Sequence, residues 1–177
     1  MSLEQQVQEL LDRQAINDLI ARYSRTLDWL DDDGQAGCYW PDAAIDYGFF
    51  KGTAAEFVPV VMAVERSTGR RWHLLSSLAV KLTSATTAEG EAYGIALGFR
   101  REDDAEPYKG NMYGGRYLDT YEKRATVSGT EWRISSRRYI MDWTMAMPDQ
   151  PDASPSAAFP LPMLDLRESG HPDYRAM

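Results

Sequence analysis

The chain has 177 residues, of which 44% are hydrophobic and 26% charged, and this length and balance predict one globular domain with a real core. A formal net charge of −8 argues against binding to nucleic acid or to an anionic membrane, because both need a basic surface. Cys38 is the only cysteine, which excludes an intrachain disulfide, and the chain has no Cys/His cluster for zinc or another metal.

The first predicted element is a long amphipathic helix. Ser2 and Gln5 can form a capping box at its start. Apolar residues then recur with a period near 3.6, at Val7, Leu10, Leu11, Ile16, Leu19, Ile20, Tyr23 and Leu27. The acidic run 31–33 and Gly34 are expected to end the helix, since carboxylates are unfavourable at a helix C-terminus. The N-terminus lacks the pattern of a signal peptide and no apolar run would span a bilayer, so we expect a cytoplasmic protein.

Short elements are expected to join this helix to a run of strands. They are a helix over 35–40, a strand over 43–51, and a second helix from a Thr53 cap to about Arg66. From Arg70 onward the pattern predicts long strands over 71–84, 90–101, 111–124 and 131–145. Turns are expected at Glu89-Gly90 and Ser128-Gly129. Helices first and strands afterwards predict an α+β fold, with helices on one face of a curved antiparallel sheet.

The C-terminal residues differ in composition from the rest. We divide the chain into a domain over 1–147 and a proline-rich arm over 148–177, which holds six of the nine prolines. The arm also carries apolar residues such as Phe159 and Leu164, too many for a purely solvated linker. Two interpretations stay open: an extended arm over its own pocket mouth or a neighbouring subunit, and a disordered tail.

Two side chains are candidates for acid–base chemistry. His73 is the first, because only imidazole titrates near neutral pH unperturbed, and the other histidine, His171, lies in the arm. Asp28 lies beside the apolar stripe of the first helix, and a carboxylate that reaches a histidine fixes its tautomer and raises its basicity. Either residue could instead be structural, as a polar helix end or a strand histidine. Asp142 is a further candidate acid.

Aromatic and arginine residues supply the candidates for a pocket lining. The aromatic residues are plentiful and most are expected in the core, but a pocket lined by rings such as Trp40 and Trp72 would suit a flat substrate. Three arginine pairs are interpreted as solvated strand ends: Arg70-Arg71, Arg100-Arg101 and Arg137-Arg138. Strand alternation still requires one of the last two to face inward, without deciding which.

Several segments resemble the SnoaL-like family of the nuclear-transport-factor-2-like superfamily. They are Arg13–Tyr23 with Leu27-Asp28, Trp40–Ala43, Tyr47, Lys51-Gly52, His73 and, on the last strand, Glu131–Ile134. The resemblance covers about residues 5–145. It implies a cone-shaped curved sheet wrapped by N-terminal helices around one deep pocket. The branch with scytalone dehydratase, bile acid 7α-dehydratase and hexachlorocyclohexane dehydrochlorinase is similar, as are the diarylpropane lyases.

This resemblance also implies roles for individual residues. Those enzymes abstract a proton with a His–Asp dyad and no cofactor, and the matching residues here are His73 and Asp28. Tyr23 occupies the place of a proton-handling residue, while Tyr47 and Arg137 match pocket positions that would bind substrate. A second pocket histidine of scytalone dehydratase has no counterpart, so its water-mediated arrangement does not carry over. Tyr23, with Tyr47 or Arg137, is expected to hydrogen-bond or protonate the departing oxygen.

The sequence therefore predicts a cofactor-free lyase. It would release water or formaldehyde from a small hydrophobic, aromatic compound, such as a lignin-derived diarylpropane or a hydroxylated polycycle. We expect a homodimer or homotrimer. Two alternatives remain: a non-catalytic small subunit of an aromatic-ring dioxygenase, and a polyketide cyclase or isomerase, whose product would keep the mass of its substrate.

Overall fold

The computed structural model describes residues 1–100, 109–148 and 168–175. Its elements in chain order are α1 (Leu3–Asp28), α2 (Asp32–Ala36), β1 (Tyr39–Asp46), β2 (Lys51–Thr53), α3 (Ala54–Arg66), β3 (Arg70–Leu82), β4 (Thr87–Arg100), β5 (Lys109–Thr126) and β6 (Gly129–Ala146). The four long strands predicted after Arg70 are present, each within a few residues of its expected bounds.

The strands form one six-stranded sheet in the order β2-β1-β6-β5-β4-β3. All neighbours are antiparallel except β1 and β6, which pair in parallel. The α+β prediction is confirmed, and the sheet is mixed because β1 enters beside the last strand. Register shifts interrupt several of the pairings, and such bulges bend strands. The sheet is curved, and α1 packs against β3 and β6 while α3 packs against β1.

Both long helices begin where the sequence predicts. Ser2 and Gln5 form a reciprocal capping box at the start of α1, and Thr53 forms another with Glu56 at the start of α3. The apolar stripe of α1 is buried only in its second half, where Ile16, Leu19, Ile20, Tyr23 and Leu27 are all at most 4% exposed. The first half of the stripe is exposed, with Val7, Leu10 and Leu11 between 47% and 69%.

The acidic run begins a helix instead of ending one. Asp31 is the N-cap of α2 and accepts the backbone N–H of Gly34 at 2.9 Å. Asp32 and Asp33 lie in the first turn, where carboxylates interact favourably with the helix dipole. The helix predicted over 35–40 is therefore wrong, and its last residues belong to β1.

One predicted strand and one predicted turn also differ from the structure. The strand expected over 43–51 is split into β1 and β2 by a turn in which Gly48 has φ +76° and donates its N–H to Asp46 Oδ1. Glu89-Gly90 lies inside β4, and the chain reverses at 83–86, where Thr83 N–H donates to the Thr87 carbonyl. The turn at Ser128-Gly129 is found, with Gly129 at φ +136°.

Most of the predicted arm over 148–177 lies outside the described residues, so its course stays a prediction. The part over 168–175 contacts the C-terminal end of α1. The Tyr174 hydroxyl donates to the Asp31 carboxylate, the Arg25 guanidinium lies 4.6 Å from the Tyr174 ring centroid, and the His171 ring centroid is 6.0 Å from that of Trp29. Within the ranges that the structure describes, no helix is both long and apolar enough to cross a membrane.

Candidate active site

The structure joins Asp28 and His73, the last residue of α1 and the fourth of β3. His73 Nδ1 lies 2.9 Å from Asp28 Oδ1, and the backbone N–H of His73 donates to Asp28 Oδ2 at 3.3 Å. Each side chain is 9% exposed. An ionised carboxylate only accepts hydrogen bonds, so the proton on this edge belongs to Nδ1, which leaves Nε2 of the neutral ring as an acceptor.

Arg71 holds the two helix ends beside this pair together. The side chain is 2% exposed. Its guanidinium donates to the backbone carbonyls of Asp28 at 3.2 Å, Glu65 at 2.9 Å and Thr68 at 2.6 Å. Carbonyls at helix C-termini lack partners within the helix and carry the negative end of its dipole, which favours a cation there. The interpretation of Arg70-Arg71 as a solvated strand end is therefore wrong for Arg71.

A second carboxyl group, that of Glu65, faces the other nitrogen of the imidazole. Glu65 Oε1 lies 3.6 Å from His73 Nε2, and Oε2 lies 3.8 Å from Arg71 Nε. The Glu65 side chain is 14% exposed. Burial raises the pKa of its carboxyl, and the charges of His73 and Arg71, which act to lower that pKa, only partly offset the rise. Sequence reasoning missed Glu65, because its place beside His73 depends on how α3 packs.

The surroundings shift the pKa of His73 as well. Burial disfavours the imidazolium, but the hydrogen bond to Asp28 and the charges of Glu65 and Asp28 outweigh it, so the pKa is raised above its ordinary value. A neighbouring imidazole and carboxyl with shifted pKa values in a cleft are typical of a functional site. Among the described side chains, no group of three or more His, Cys, Asp or Glu residues is placed to hold a metal ion.

A cleft of about 300 Å³ opens beside His73. Its lining includes Val64, Glu65, Thr68, His73, Ala96, Leu97, Gly98, Arg100, Lys109, Asn111 and Tyr113. The residue paired with His73 across β3 and β4 is Ala96, so only a methyl group stands next to the imidazole on that strand. The cleft therefore offers His73 and Glu65 to a bound molecule, with both apolar and polar walls.

Small residues on β4 leave the space that the cleft occupies. Positions 88, 90, 92, 94, 96 and 98 are all alanine or glycine, and alternation places them on one face of the strand. A Cβ atom on Gly94 would lie 2.7 Å from the Tyr117 ring, so its absence lets that ring lie against the sheet. At Gly98 a Cβ atom would meet only Thr68 Cγ2, at 3.4 Å. This alternation is visible in the sequence and could have located the floor of the cleft.

Tyr23, Tyr47 and Arg137 come together in a second, buried cluster. The Tyr23 and Tyr47 hydroxyl oxygens lie 3.0 Å apart, and the Arg137 guanidinium lies 4.2 Å from the Tyr23 ring centroid. Arg137 donates to both oxygens of Asp119, at 2.8 and 2.7 Å, and is 1% exposed, while Arg138 is exposed. Burial raises the pKa of the Tyr23 phenol well above its ordinary value, so Tyr23 is a donor at neutral pH. Arg137 is thus the arginine that faces inward, and it is no solvated strand end.

Three other candidates are not brought to His73. Trp72 is 54% exposed, because it neighbours His73 on a strand and therefore points to the opposite face. Trp40 is buried elsewhere and donates its indole N–H to the Glu122 carbonyl at 2.9 Å. Asp142 pairs with Arg116 at 2.9 Å. The proposed site therefore leaves these three residues out.

One protein-family model matches most of the chain. The model of the SnoaL-like domain matches residues 8–138. No curated protein sequence matches at a significant level.

Solved structures share the fold. A scytalone dehydratase candidate from Novosphingobium aromaticivorans DSM 12444 superposes with a TM-score of 0.68 at 19% identity, over 83% of this chain and 97% of that one. A hexachlorocyclohexane dehydrochlorinase from Novosphingobium barchaimii LL02 gives 0.64 at 21%, over 80% and 94%. A protein of unknown function from Mycobacterium tuberculosis gives 0.62 at 25%, over 76% and 73%.

Proposed function

The chain belongs to the SnoaL-like family, and on that premise we propose that it is a cofactor-independent lyase with His73 as general base. Because this fold hosts many functions, the proposal depends on the site itself. The observation that carries it is the 2.9 Å contact between Asp28 Oδ1 and His73 Nδ1 at the edge of the cleft. That contact holds the proton on Nδ1 and leaves Nε2 available to accept one.

In the proposed reaction, Nε2 of neutral His73 takes a proton from the substrate, and a bond to a leaving group breaks. Loss of water is the default. Loss of formaldehyde needs the same parts: the base takes the proton of a terminal hydroxyl, and the C–C bond breaks to release formaldehyde. The electron pair of that bond forms a C=C bond as the benzylic hydroxyl, protonated by an acid, leaves as water. Asp28 stabilises the imidazolium that forms, because its charge lies next to the ring.

The cleft supports a small substrate that has both apolar and polar groups. Its volume is at the lower end of the range for ligand sites, and the aromatic ring of Tyr113 and the side chains of Val64 and Leu97 contribute apolar surface. Two structural neighbours are named for eliminations, a scytalone dehydratase candidate and a hexachlorocyclohexane dehydrochlorinase. We propose an aromatic compound; Tyr23, Tyr47 and Arg137 lie in the buried cluster and do not line this cleft, so their contact with a substrate stays a prediction from the sequence.

The test is turnover of hydroxylated aromatics, diarylpropane diols and hydroxysteroids, with products resolved by mass and no cofactor added. Wild type is compared with His73→Ala, and His171→Ala serves as the control for loss of a histidine. We expect a product lighter by water, or by formaldehyde and water together, formed by wild type and the control and lost in His73→Ala. A product of unchanged mass would favour the cyclase or isomerase, and unimpaired His73→Ala would refute the proposal.

A further inference from the structure

Glu65 is placed unlike an ordinary surface glutamate. It is the penultimate residue of α3, and a carboxylate at a helix C-terminus is disfavoured by the helix dipole. The side chain is only 14% exposed, and burying a carboxylate costs free energy unless it is paired. Its two oxygens are directed at His73 Nε2, 3.6 Å away, and at Arg71 Nε, 3.8 Å away. An unfavourable position that is compensated by the imidazole itself points to a chemical role.

The distance between Glu65 and the imidazole leaves room for an atom of a bound molecule or a water between the two groups. At 3.6 Å, Glu65 Oε1 and Nε2 are too far apart for a direct hydrogen bond. Both groups line the cleft, so an atom of a bound molecule can approach the carboxyl and the imidazole from the same side. Asp28 differs, because it contacts Nδ1 and the backbone of His73 and does not line the cleft.

We infer that Glu65 is the acid that protonates the departing oxygen, an inference that rests on the proposed role of His73. Neutral His73 takes the C–H proton at Nε2, the electron pair of that bond forms the C=C bond, and the C–O bond breaks. Protonated Glu65 gives its proton to the oxygen, which leaves as water or an alcohol. Transfer of the proton from His73 to Glu65 through one water, after the product has left, then restores both groups. One proton leaves carbon and one reaches oxygen, so the cycle balances.

The inference defines the class of substrate. Hydroxide and alkoxide are poor leaving groups that need protonation, whereas a halide leaves as a stable anion. A site with its own acid therefore fits a compound with an activated C–H bond and a hydroxyl or ether oxygen on the adjacent carbon. It gives the role of leaving-group acid to Glu65, which lines the cleft, instead of to Tyr23, which the sequence predicts for it and which lies in the buried cluster.

The pair also predicts a pH signature. The active form of the pair holds one proton, on Glu65. When both His73 and Glu65 are protonated the site has no base, and when both are deprotonated it has no acid. As pH increases, kcat/KM for a substrate with an oxygen leaving group should therefore rise and then fall. For a substrate with a halide leaving group, kcat/KM should only rise. Among the residues that the structure describes, the other ionisable and charged groups that face the pair are Asp28 from α1, Arg71 on β3, Arg100 on β4, and Lys109 and Tyr113 on β5.

The experiment measures kcat/KM against pH for two substrates of one carbon skeleton, one with a hydroxyl and one with a chloride leaving group. For Glu65→Gln we expect a loss of about 10²–10³-fold on the hydroxyl compound, little loss on the chloride, and no fall at high pH. Glu65→Asp should recover part of the loss, and Glu89→Gln, at an exposed position on β4, is the control. Equal losses on both compounds, or an unchanged pH profile, would overturn the inference.

Two further readouts separate this inference from the proposed function. His73→Ala should be inactive on both compounds, and full activity there would refute the general base whatever Glu65 does. Independently of any substrate, an NMR titration of His73 in Glu65→Gln should give a lower pKa than in wild type, with His171 as internal reference.

Discussion

One carboxylate, that of Asp28, contacts both the ring and the backbone of His73, at 2.9 Å through Oδ1 and at 3.3 Å through Oδ2. The last residue of α1 thereby fixes the imidazole tautomer and the position of β3 against the helix. Arg71, two residues before His73, donates to the backbone carbonyl of the same aspartate. The geometry of the site is therefore set by the junction between a helix end and a strand.

Replacing Asp28 by asparagine should lower both the pKa of His73 and the rate. The charge and the hydrogen bond of Asp28 raise that pKa, and an amide can donate to Nδ1 and favour the wrong tautomer. We expect kcat/KM to fall by about 10²–10⁴-fold. Steady-state kinetics and an NMR titration test this, with Asp18→Asn on an exposed part of α1 as the control. Wild-type kinetics in Asp28→Asn would contradict it.

The raised pKa of His73 makes stability depend on pH. A group whose pKa is higher in the folded than in the unfolded chain stabilises the fold below its unfolded pKa, and this contribution is lost as pH rises through the folded pKa. The free energy of unfolding should therefore fall more steeply in wild type than in His73→Gln as pH rises above about 6.5, the ordinary pKa of histidine. Urea denaturation across this range measures the difference. Parallel curves for the two proteins would contradict the prediction.

Removal of the Arg71 cation should destabilise the fold. Arg71→Met leaves the three carbonyls and the Glu65 carboxylate without their buried partner, and we expect a loss of about 3 kcal/mol. Arg71→Lys keeps the charge but lacks the planar fork, so it should recover only part. Urea denaturation gives both values, with Arg138→Met at an exposed position as the control. A loss no larger than the control's would contradict this account.

Two glycines of β4 should respond in opposite ways to alanine. At Gly94 the new methyl group would lie 2.7 Å from the Tyr117 ring, and we expect a loss of about 1–3 kcal/mol. At Gly98 the methyl group fits against Thr68, so stability should be kept or rise slightly, while KM rises because the cleft narrows. Thermal unfolding and steady-state kinetics test the pair. Equal stability losses would show that the cleft end of β4 is as tightly packed as its middle.

The sequence predicts the parts of this protein that local rules decide. The caps at Ser2 and Thr53, the long strands after Arg70 and the α+β class all follow from patterns within short segments. The parallel pairing of β1 with β6 depends on long-range packing and was not predictable in this way. The cytoplasmic location and the homodimer or homotrimer stay predictions.

The candidate site, like the fold, was predictable only in part. The pairing of His73 with Asp28 was predicted from the family resemblance, because the two residues are 45 positions apart in the chain and no local pattern connects them. Glu65 and Arg71 were missed, since a glutamate near a helix end and an arginine at a strand end are ordinary in sequence. The C-terminal end of α3 brings Glu65 to the imidazole, and Arg71 lies on the same face of β3 as His73, two residues away.

The most direct test of the central claim is chemical rescue of His73→Gly by free imidazole, on a compound that wild type converts. The account predicts that the variant loses at least about 10²-fold in rate and that imidazole restores part of it, in proportion to the concentration of the neutral base. Wild-type rates in the variant without imidazole would contradict the assignment of His73 as general base.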